Sequence, residues 1–173
     1  MPPFTTSLLV LGGARSGKSR HAQAIAEAVG GPLVFIATAQ AFDAEMAERI
    51  ARHRADRDER WRTLEAPLDL AQALFDADRP GATILVDCLT LWASNLLLAE
   101  ADIAAATDTL LARLAVVQAR VILVSNEVGF GIVPDNALAR RFRDVAGTLN
   151  QRVAAAVSQV DFVIAGLPQR LKG

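Results

Sequence analysis

Gly12-Gly13-Ala14-Arg15-Ser16-Gly17-Lys18-Ser19 follows the short apolar run Leu8 to Leu11 and opens an alanine-rich segment of helical period, Ser19 to Val29. Gly, four residues, then Gly-Lys-Ser between a strand and a helix is the P-loop pattern. Each part has a physical task. The glycines let successive backbone N–H groups turn inward toward phosphate oxygens, and the helix adds its positive N-terminal dipole. Lys18 is long enough to reach β- and γ-phosphates, and the Ser19 hydroxyl is a ligand for Mg²⁺. Of the 18 basic residues 16 are Arg, yet one of the two lysines stands where a compact ammonium is needed and a guanidinium does not substitute. All eight residues are therefore candidate nucleotide contacts, with Lys18 also a catalytic candidate.

Working outward, short runs that are apolar throughout recur at Leu33 to Ala37, Thr83 to Val86, Val121 to Ser125 and Phe162 to Ala165. Such runs suit strands covered on both faces. Helical periods lie between them, at Phe42 to Arg57, Leu89 to Ala99, Thr107 to Gln118 and Asp135 to Val157. The last carries Leu138, Phe142, Val145, Leu149 and Val153 as one stripe. Gly30-Gly31-Pro32 and Arg79-Pro80-Gly81 read as tight turns into strands, not as domain boundaries. The alternation predicts an α/β fold with a mostly parallel central sheet flanked by helices, and one catalytic domain over residues 1–173.

Composition agrees. The chain has 173 residues, 52% of them hydrophobic, and 18 Lys+Arg against 19 Asp+Glu give a net charge of −1. Disorder as the main state and charge-driven binding to nucleic acid or anionic lipid are excluded on those grounds. The single cysteine, Cys88, permits no intrachain disulfide and suits a reducing cytoplasm. The run Leu8 to Leu11 is too short for a signal core, and the most apolar stretch, Leu89 to Ala106, is broken by Ser94, Asn95, Glu100 and Asp102, so no membrane span is expected.

A P-loop needs a carboxylate at the end of another strand to hold the metal's water shell, and Asp87 after Ile84-Leu85-Val86 is the expected partner, making Ser19 and Asp87 the metal candidates. A cap on the helix beginning near Leu89 is the other role open to Asp87. From Glu45 to Arg62 there are six Arg and five acids, mostly a solvated face. His53 differs, falling on the stripe Phe42, Met46, Ile50, where it serves either packing or nucleophilic chemistry. The only other histidine, His21, suits a surface or packing role, and two histidines make no protein-only zinc site. Glu127, at the carboxyl end of the fourth predicted strand, is a candidate carboxylate for the acceptor hydroxyl; stabilising the turn at Val128-Gly129 is its alternative role.

The combination of residues 12–20, His53-Arg54 with Trp61, Thr63 and Glu65 downstream, Val86-Asp87-Cys88-Leu89-Thr90, and above all Ser125-Asn126-Glu127-Val128-Gly129-Phe130-Gly131-Ile132-Val133-Pro134 resembles the bifunctional adenosylcobinamide kinase / adenosylcobinamide-phosphate guanylyltransferase family. Similarity runs on through Phe142-Arg143-Asp144 and Asn150-Gln151-Arg152. The resemblance implies a RecA-like P-loop fold and a homotrimer. It implies phosphorylation of adenosylcobinamide by ATP or GTP, then GMP transfer from GTP through a guanylylated histidine to give adenosylcobinamide-GDP. Nucleotide contacts carry over to Gly12 to Ser19, Thr38, Ala39, Gln40, Arg54, Ala55, Asp56, Glu65 and Asp87, and the nucleophile to His53. This chain has Arg52 where some members have a second histidine, and Asp58 where Pro is frequent. Two other readings compete: a P-loop small-molecule kinase without guanylyl transfer, which leaves His53 structural, and a nucleotide switch. Against the switch, Ser125-Asn126-Glu127-Val128 has Glu where a guanine-reading Asn-Lys-x-Asp loop has Lys.

Overall fold

The structure, a computed structural model, describes residues 7–41, 44, 47, 48, 50, 51 and 57–173. Its elements are β1 (Ser7–Gly12), α1 (Lys18–Val29), β2 (Leu33–Ala37), β3 (Trp61–Glu65), α2 (Leu70–Ala77), β4 (Thr83–Asp87), α3 (Leu89–Leu98), α4 (Ile103–Leu114), β5 (Arg120–Asn126), α5 (Ala137–Ala156), β6 (Gln159–Ile164) and β7 (Leu167–Lys172). All seven strands join one sheet in the order β3-β2-β4-β5-β1-β6-β7, parallel except for the final β6–β7 pair. This is the α/β architecture expected, with β5 between the P-loop strand and the Asp87 strand.

Four of the five runs read as strands, those in β1, β2, β4 and β5, are buried on both faces, for a clear reason. One face packs Leu9, Ile36, Ile84, Val86, Val121 and Leu123 against α2, α3, α4 and α5; the other packs Leu8, Val10, Leu85, Ile122 and Val124 against Ala22 and Ala26 of α1. The turns read at Gly30-Gly31 and Gly81 are present with positive φ at all three glycines. Gly31 lies against the other turn, where an added Cβ would meet Gly81 O at 2.6 Å.

The sequence reading needs correction at five places. Two strands were not anticipated, β3 and β7, and they are the two edges of the sheet. In β3 only Trp61 is buried, with its ring edge-on to Phe35 at 6.3 Å; in β7 all six residues are exposed. Neither presents the continuous apolar run that marks an inner strand. Helix α2 was also unforeseen, though Leu70, Ala73, Leu74 and Ala77 form its buried stripe. The fifth predicted strand, 162–165, begins three residues earlier, at Gln159, and Ala165 belongs to a turn with φ 51°. The helix expected at 107–118 runs from Ile103 to Leu114 because Asp102 caps it, its carboxylate accepting Ala105 N–H at 2.9 Å.

Helix α5 matches its expected span, but its stripe is buried only in its second half. Leu149 and Val153 are core residues, whereas Leu138 is 54% exposed. Between β2 and β3, residues 44, 47, 48, 50 and 51 are helical; the expected Phe42, Met46, His53 stripe lies outside the described residues. Among the described residues no helix is long and apolar enough to cross a membrane.

Candidate active site

Parallel pairing brings distant sequence positions to one edge, because β1 to β5 all end on the same side of the sheet. Ala37 pairs in register with Glu65 on one side and Asp87 on the other, and Gly12 pairs with Asn126. With strands about 4.8 Å apart, Asp87 lies two strands, about 10 Å, from the P-loop strand.

The loop between β1 and α1 is built by contacts that exclude side chains at chosen points. A Cβ on Gly12 would lie 2.4 Å from Ser16 Oγ and 2.7 Å from Val163 O. Gly17 caps α1 in the left-handed region, φ 94°, and Arg15 turns the chain with φ 56°. Gly13 is different: nothing lies within 4 Å of the place its Cβ would take, so it leaves open space at the mouth of the loop. Lys18 is buried and its Nζ donates to Gly13 O at 3.1 Å, which places the ammonium across the turn. Ser16 Oγ is buried without a hydrogen-bond partner among the described residues. A buried orphan hydroxyl inside an anion-shaped turn suits a ligand that brings acceptor oxygens.

Glu127 sits directly beside this loop, its N–H donating to Gly12 O at 3.0 Å. Its Oε1 accepts Gly129 N–H at 2.5 Å, so the turn-stabilising role exists; the backbone bond also sets it next to the phosphate cradle. The end of β5 is held by a closed circuit. Asn126 N–H donates to Thr90 Oγ1 (2.6 Å), Thr90 and Ser125 hydroxyls are 3.3 Å apart, Ser125 Oγ donates to Asn150 Oδ1 (2.6 Å), and Asn150 Nδ2 returns to Asn126 O (3.0 Å). Sequence reading gave Thr90 and Asn150 no role. The signal was there for Asn150, a polar residue inside the buried row Ala146, Leu149, Val153.

At the other side, Ala39, Gln40, Ile50, Glu65 and Pro67 line a cleft of about 530 Å³. Three residues that the sequence brought together only by resemblance thus share one hollow with Ile50, three positions before His53. His53, Arg54, Ala55 and Asp56 themselves lie outside the described residues. Thr38 is fully buried, its Oγ1 donating to Cys88 O at 2.7 Å and accepting Cys88 N–H at 2.9 Å, so its hydroxyl fixes the β4 exit. Asn95 Nδ2 braces the same region by donating to Thr38 O (2.7 Å) and Pro67 O (3.0 Å).

The cap of α3 is Cys88, without a side-chain hydrogen bond, so Asp87 is not a helix cap. Burial, helped by the Asp87 charge, pushes the Cys88 thiol up to about 11. Ser19 and Asp87 offer one hydroxyl and one carboxylate, and among the described residues no cluster of three metal-binding side chains exists. So sparse a set of hard oxygens fits Mg²⁺, which keeps most of its waters and takes further ligands from phosphates.

His21, expected in a surface or packing role, donates from Nε2 to Asp161 Oδ2 at 2.9 Å, and Arg170 Nε donates to the other carboxylate oxygen. Asp161 is 3% exposed. Burial acts to raise its carboxyl, but the hydrogen bonds from Arg170 and His21 outweigh that and hold it below the usual carboxylate range.

The chain is similar to known proteins along nearly its whole length. Residues 8–171 match the model of the cobinamide kinase / cobinamide phosphate guanyltransferase family. The bifunctional adenosylcobalamin biosynthesis protein CobP of Pseudomonas aeruginosa is 51% identical over 167 residues, spanning 95% of this chain and 96% of that one. The bifunctional adenosylcobalamin biosynthesis proteins CobU of Salmonella typhimurium and Escherichia coli are 43% and 41% identical, each match covering 95% of this chain and 99% of the relative. Among solved structures, the flagellar accessory protein FlaH of Methanocaldococcus jannaschii superposes with a TM-score of 0.54 at 11% identity, covering 98% of this chain and 79% of that one, a likeness of fold alone. The match runs along nearly the whole chain, and the protein belongs to the cobinamide kinase / cobinamide phosphate guanyltransferase family.

Proposed function

We propose that this chain carries out both reactions of its family: phosphorylation of adenosylcobinamide from ATP or GTP, and transfer of GMP from GTP to the resulting phosphate. The observation that carries the reading is that the phosphate cradle at 12–19, Glu127, Asp87 and Glu65 all lie at the carboxyl ends of strands in one parallel sheet.

In the kinase step the acceptor hydroxyl oxygen attacks the γ-phosphorus, the bond to the bridging oxygen breaks, and the nucleoside diphosphate leaves. Lys18 and the loop amides stabilise the transferring charge, and Glu127 takes the hydroxyl proton. In the transfer step a neutral nitrogen of His53 attacks the α-phosphorus of GTP and pyrophosphate leaves. A phosphate oxygen of the corrinoid then attacks the same phosphorus, the P–N bond breaks, and the imidazole is restored. Thr38, Ala39, Gln40, Arg54, Ala55, Asp56 and Glu65 make up the rest of the nucleotide site. Thr38 acts by fixing backbone and Glu65 as a wall of the cleft beside Gln40. Ser19 and Asp87 would hold Mg²⁺, which when bound would supply charge neutralisation to the phosphates. The substrates and the lone buried thiol suit the cytoplasm. The exposed Phe130, Ile132, Val133 and Leu138, apolar and clustered around the entry to α5, suit a homotrimer.

The test is covalent labelling. Incubated with Mg²⁺ and GTP labelled at the α-phosphate, then denatured, the protein retains label that is stable in base and released in acid, and His53→Asn retains none. Label on that variant moves the nucleophile elsewhere. Phosphorylation of cobinamide with no label on the native protein establishes the kinase alone.

A further inference from the structure

The β6–β7 hairpin is an odd addition. Among the described residues it is the only antiparallel pair in the sheet, and β7 buries none of its six residues, so core formation does not account for that strand. Beyond the ladder that β6 forms with β1, the hairpin reaches the P-loop and α1 at a few specific points. The two-residue turn Ala165-Gly166, with φ 51° and 78°, is a tight reversal of the type that suits a twisted hairpin. Gly166 N–H donates to Ser16 O at 2.8 Å. A Cβ on Gly17 would stand 3.2 Å from Gly166 Cα, and one on Gly12 would stand 2.7 Å from Val163 O, so the loop backbone rests directly on the hairpin. One turn further along α1, His21 meets Asp161 of β6, and Arg170 of β7 grips the same buried carboxylate. The far end is fastened separately, with Lys172 Nζ donating to Ala154 O, Ala155 O and Val157 O at 2.6–2.9 Å.

We propose that the β6–β7 hairpin is the outer wall of the phosphate cradle, and that Gly166 and Asp161 are positioning residues for triphosphate recognition, acting through the P-loop backbone and α1. The inference rests on the reading of residues 12–19 as the nucleotide cradle. Those amides recognise phosphate only if several of them converge, and a loop of glycines does not hold such a shape unaided. Gly166 pins the carbonyl side of Ser16 from outside, which directs the N–H groups of the loop inward. The Asp161 pairing fixes the helix that carries Lys18 against the same strand. No atom of the hairpin need touch the substrate for this effect.

The experiment compares GTP, supplied as its α,β-methylene analogue so that no guanylyl group is transferred, with GMP, both with Mg²⁺, by titration calorimetry at a temperature well below unfolding. GTP reaches deep into the cradle with its β- and γ-phosphates, whereas GMP has neither. Asp161→Asn and Gly166→Ala are expected to lower the GTP-to-GMP affinity ratio about tenfold, the scale of one charge-assisted hydrogen bond. Arg170→Lys, which keeps the cation, is expected to retain more of the ratio than Arg170→Ala, and this pair decides the matter if Asp161→Asn does not fold. Lys172→Gln, which frees only the far end, is expected to lower the thermal midpoint and leave the ratio unchanged. A loss of midpoint with an unaltered ratio in the Asp161, Gly166 and Arg170 variants would overturn the proposal, as would equal weakening of GTP and GMP. In either case a ratio that is large in the native protein and collapses in Lys18→Ala leaves the cradle reading intact. A native protein with no preference for GTP removes both.

Discussion

Asn150→Ala tests whether the closed circuit at the end of β5 holds the site together. The amide accepts from Ser125 Oγ at 2.6 Å and donates to Asn126 O at 3.0 Å, and both Asn150 and Ser125 are buried. Truncation removes two hydrogen bonds, each worth a net ~1 kcal/mol, and leaves the Asn126 carbonyl without this partner at about 1 kcal/mol more, while the Ser125 hydroxyl keeps Thr90 Oγ1 at 3.3 Å. The expected loss is about 3 kcal/mol of unfolding free energy, or about 6–12 °C in midpoint for a chain of this size. Urea unfolding followed by circular dichroism reads it, with an unchanged slope showing that the unfolded state is unaltered. Because Glu127, the next residue, is bonded to Gly12, kcat of the kinase step should fall well below the unfolding temperature. A double-mutant cycle with Ser125→Ala should give a coupling of about 1 kcal/mol or more. A destabilisation under about 1 kcal/mol, with a coupling near zero, would refute the circuit as a cooperative unit.

Other outcomes follow from the same geometry. Lys18→Ala should reduce both activities by about a hundredfold or more, since one preorganised donor to a transferring phosphoryl group is commonly worth that much. Its fold should survive, read by circular dichroism. Gly12→Ala should cost about 1–3 kcal/mol and most of the nucleotide affinity, because the added Cβ must displace the Val163 carbonyl, part of the backbone rather than a flexible tip. Native Cys88, with its thiol raised to about 11, should have only about one molecule in a thousand ionised near pH 8, so a thiol reagent should modify it only as the protein unfolds. Asp161 carries a carboxyl lowered by folding, so its stabilisation is complete above about pH 4, the unfolded value, and is lost as pH falls through the lower folded value. Asp161→Asn should therefore be less stable than the native protein at neutral pH, and the gap should close in acid denaturation below about pH 4.

The inner strands and the P-loop were legible in sequence because full burial writes itself as unbroken apolar runs, and because an anion-binding turn needs glycines at set positions. The edge strands were not. Leu167-Pro168-Gln169-Arg170-Leu171-Lys172 carries a proline and two cations and buries nothing, so its pairing is dictated by β6 and not by its own pattern. Trp61 stands before mostly polar residues, and only the parallel ladder with β2 reveals a strand there. Of the candidate site, Lys18 follows from the P-loop pattern, and Asp87 and Glu127 from strand ends, since ligands of parallel sheets gather at carboxyl termini. The convergence of Gln40 with Glu65 needed the resemblance first and the register of β2 with β3 afterwards. Asp161 was overlooked although a carboxylate inside Val160-Asp161-Phe162-Val163 is a readable anomaly: a buried charge in an apolar strand demands partners, and the structure supplies two.

The two borders of the sheet also limit how copies of this chain can meet. At one border β7 presents exposed side chains throughout and a proline with no N–H to offer; at the other, β3 turns Arg62, Thr63 and Glu65 outward, after an Asp58–Arg60 ion pair. Neither rim invites a neighbouring backbone to extend the ladder. Self-association must therefore use side-chain surfaces, the apolar loop and helix entry near Phe130 and Leu138 foremost. A crowded or partly assembled population should consequently stay dispersed and not polymerise through its strands.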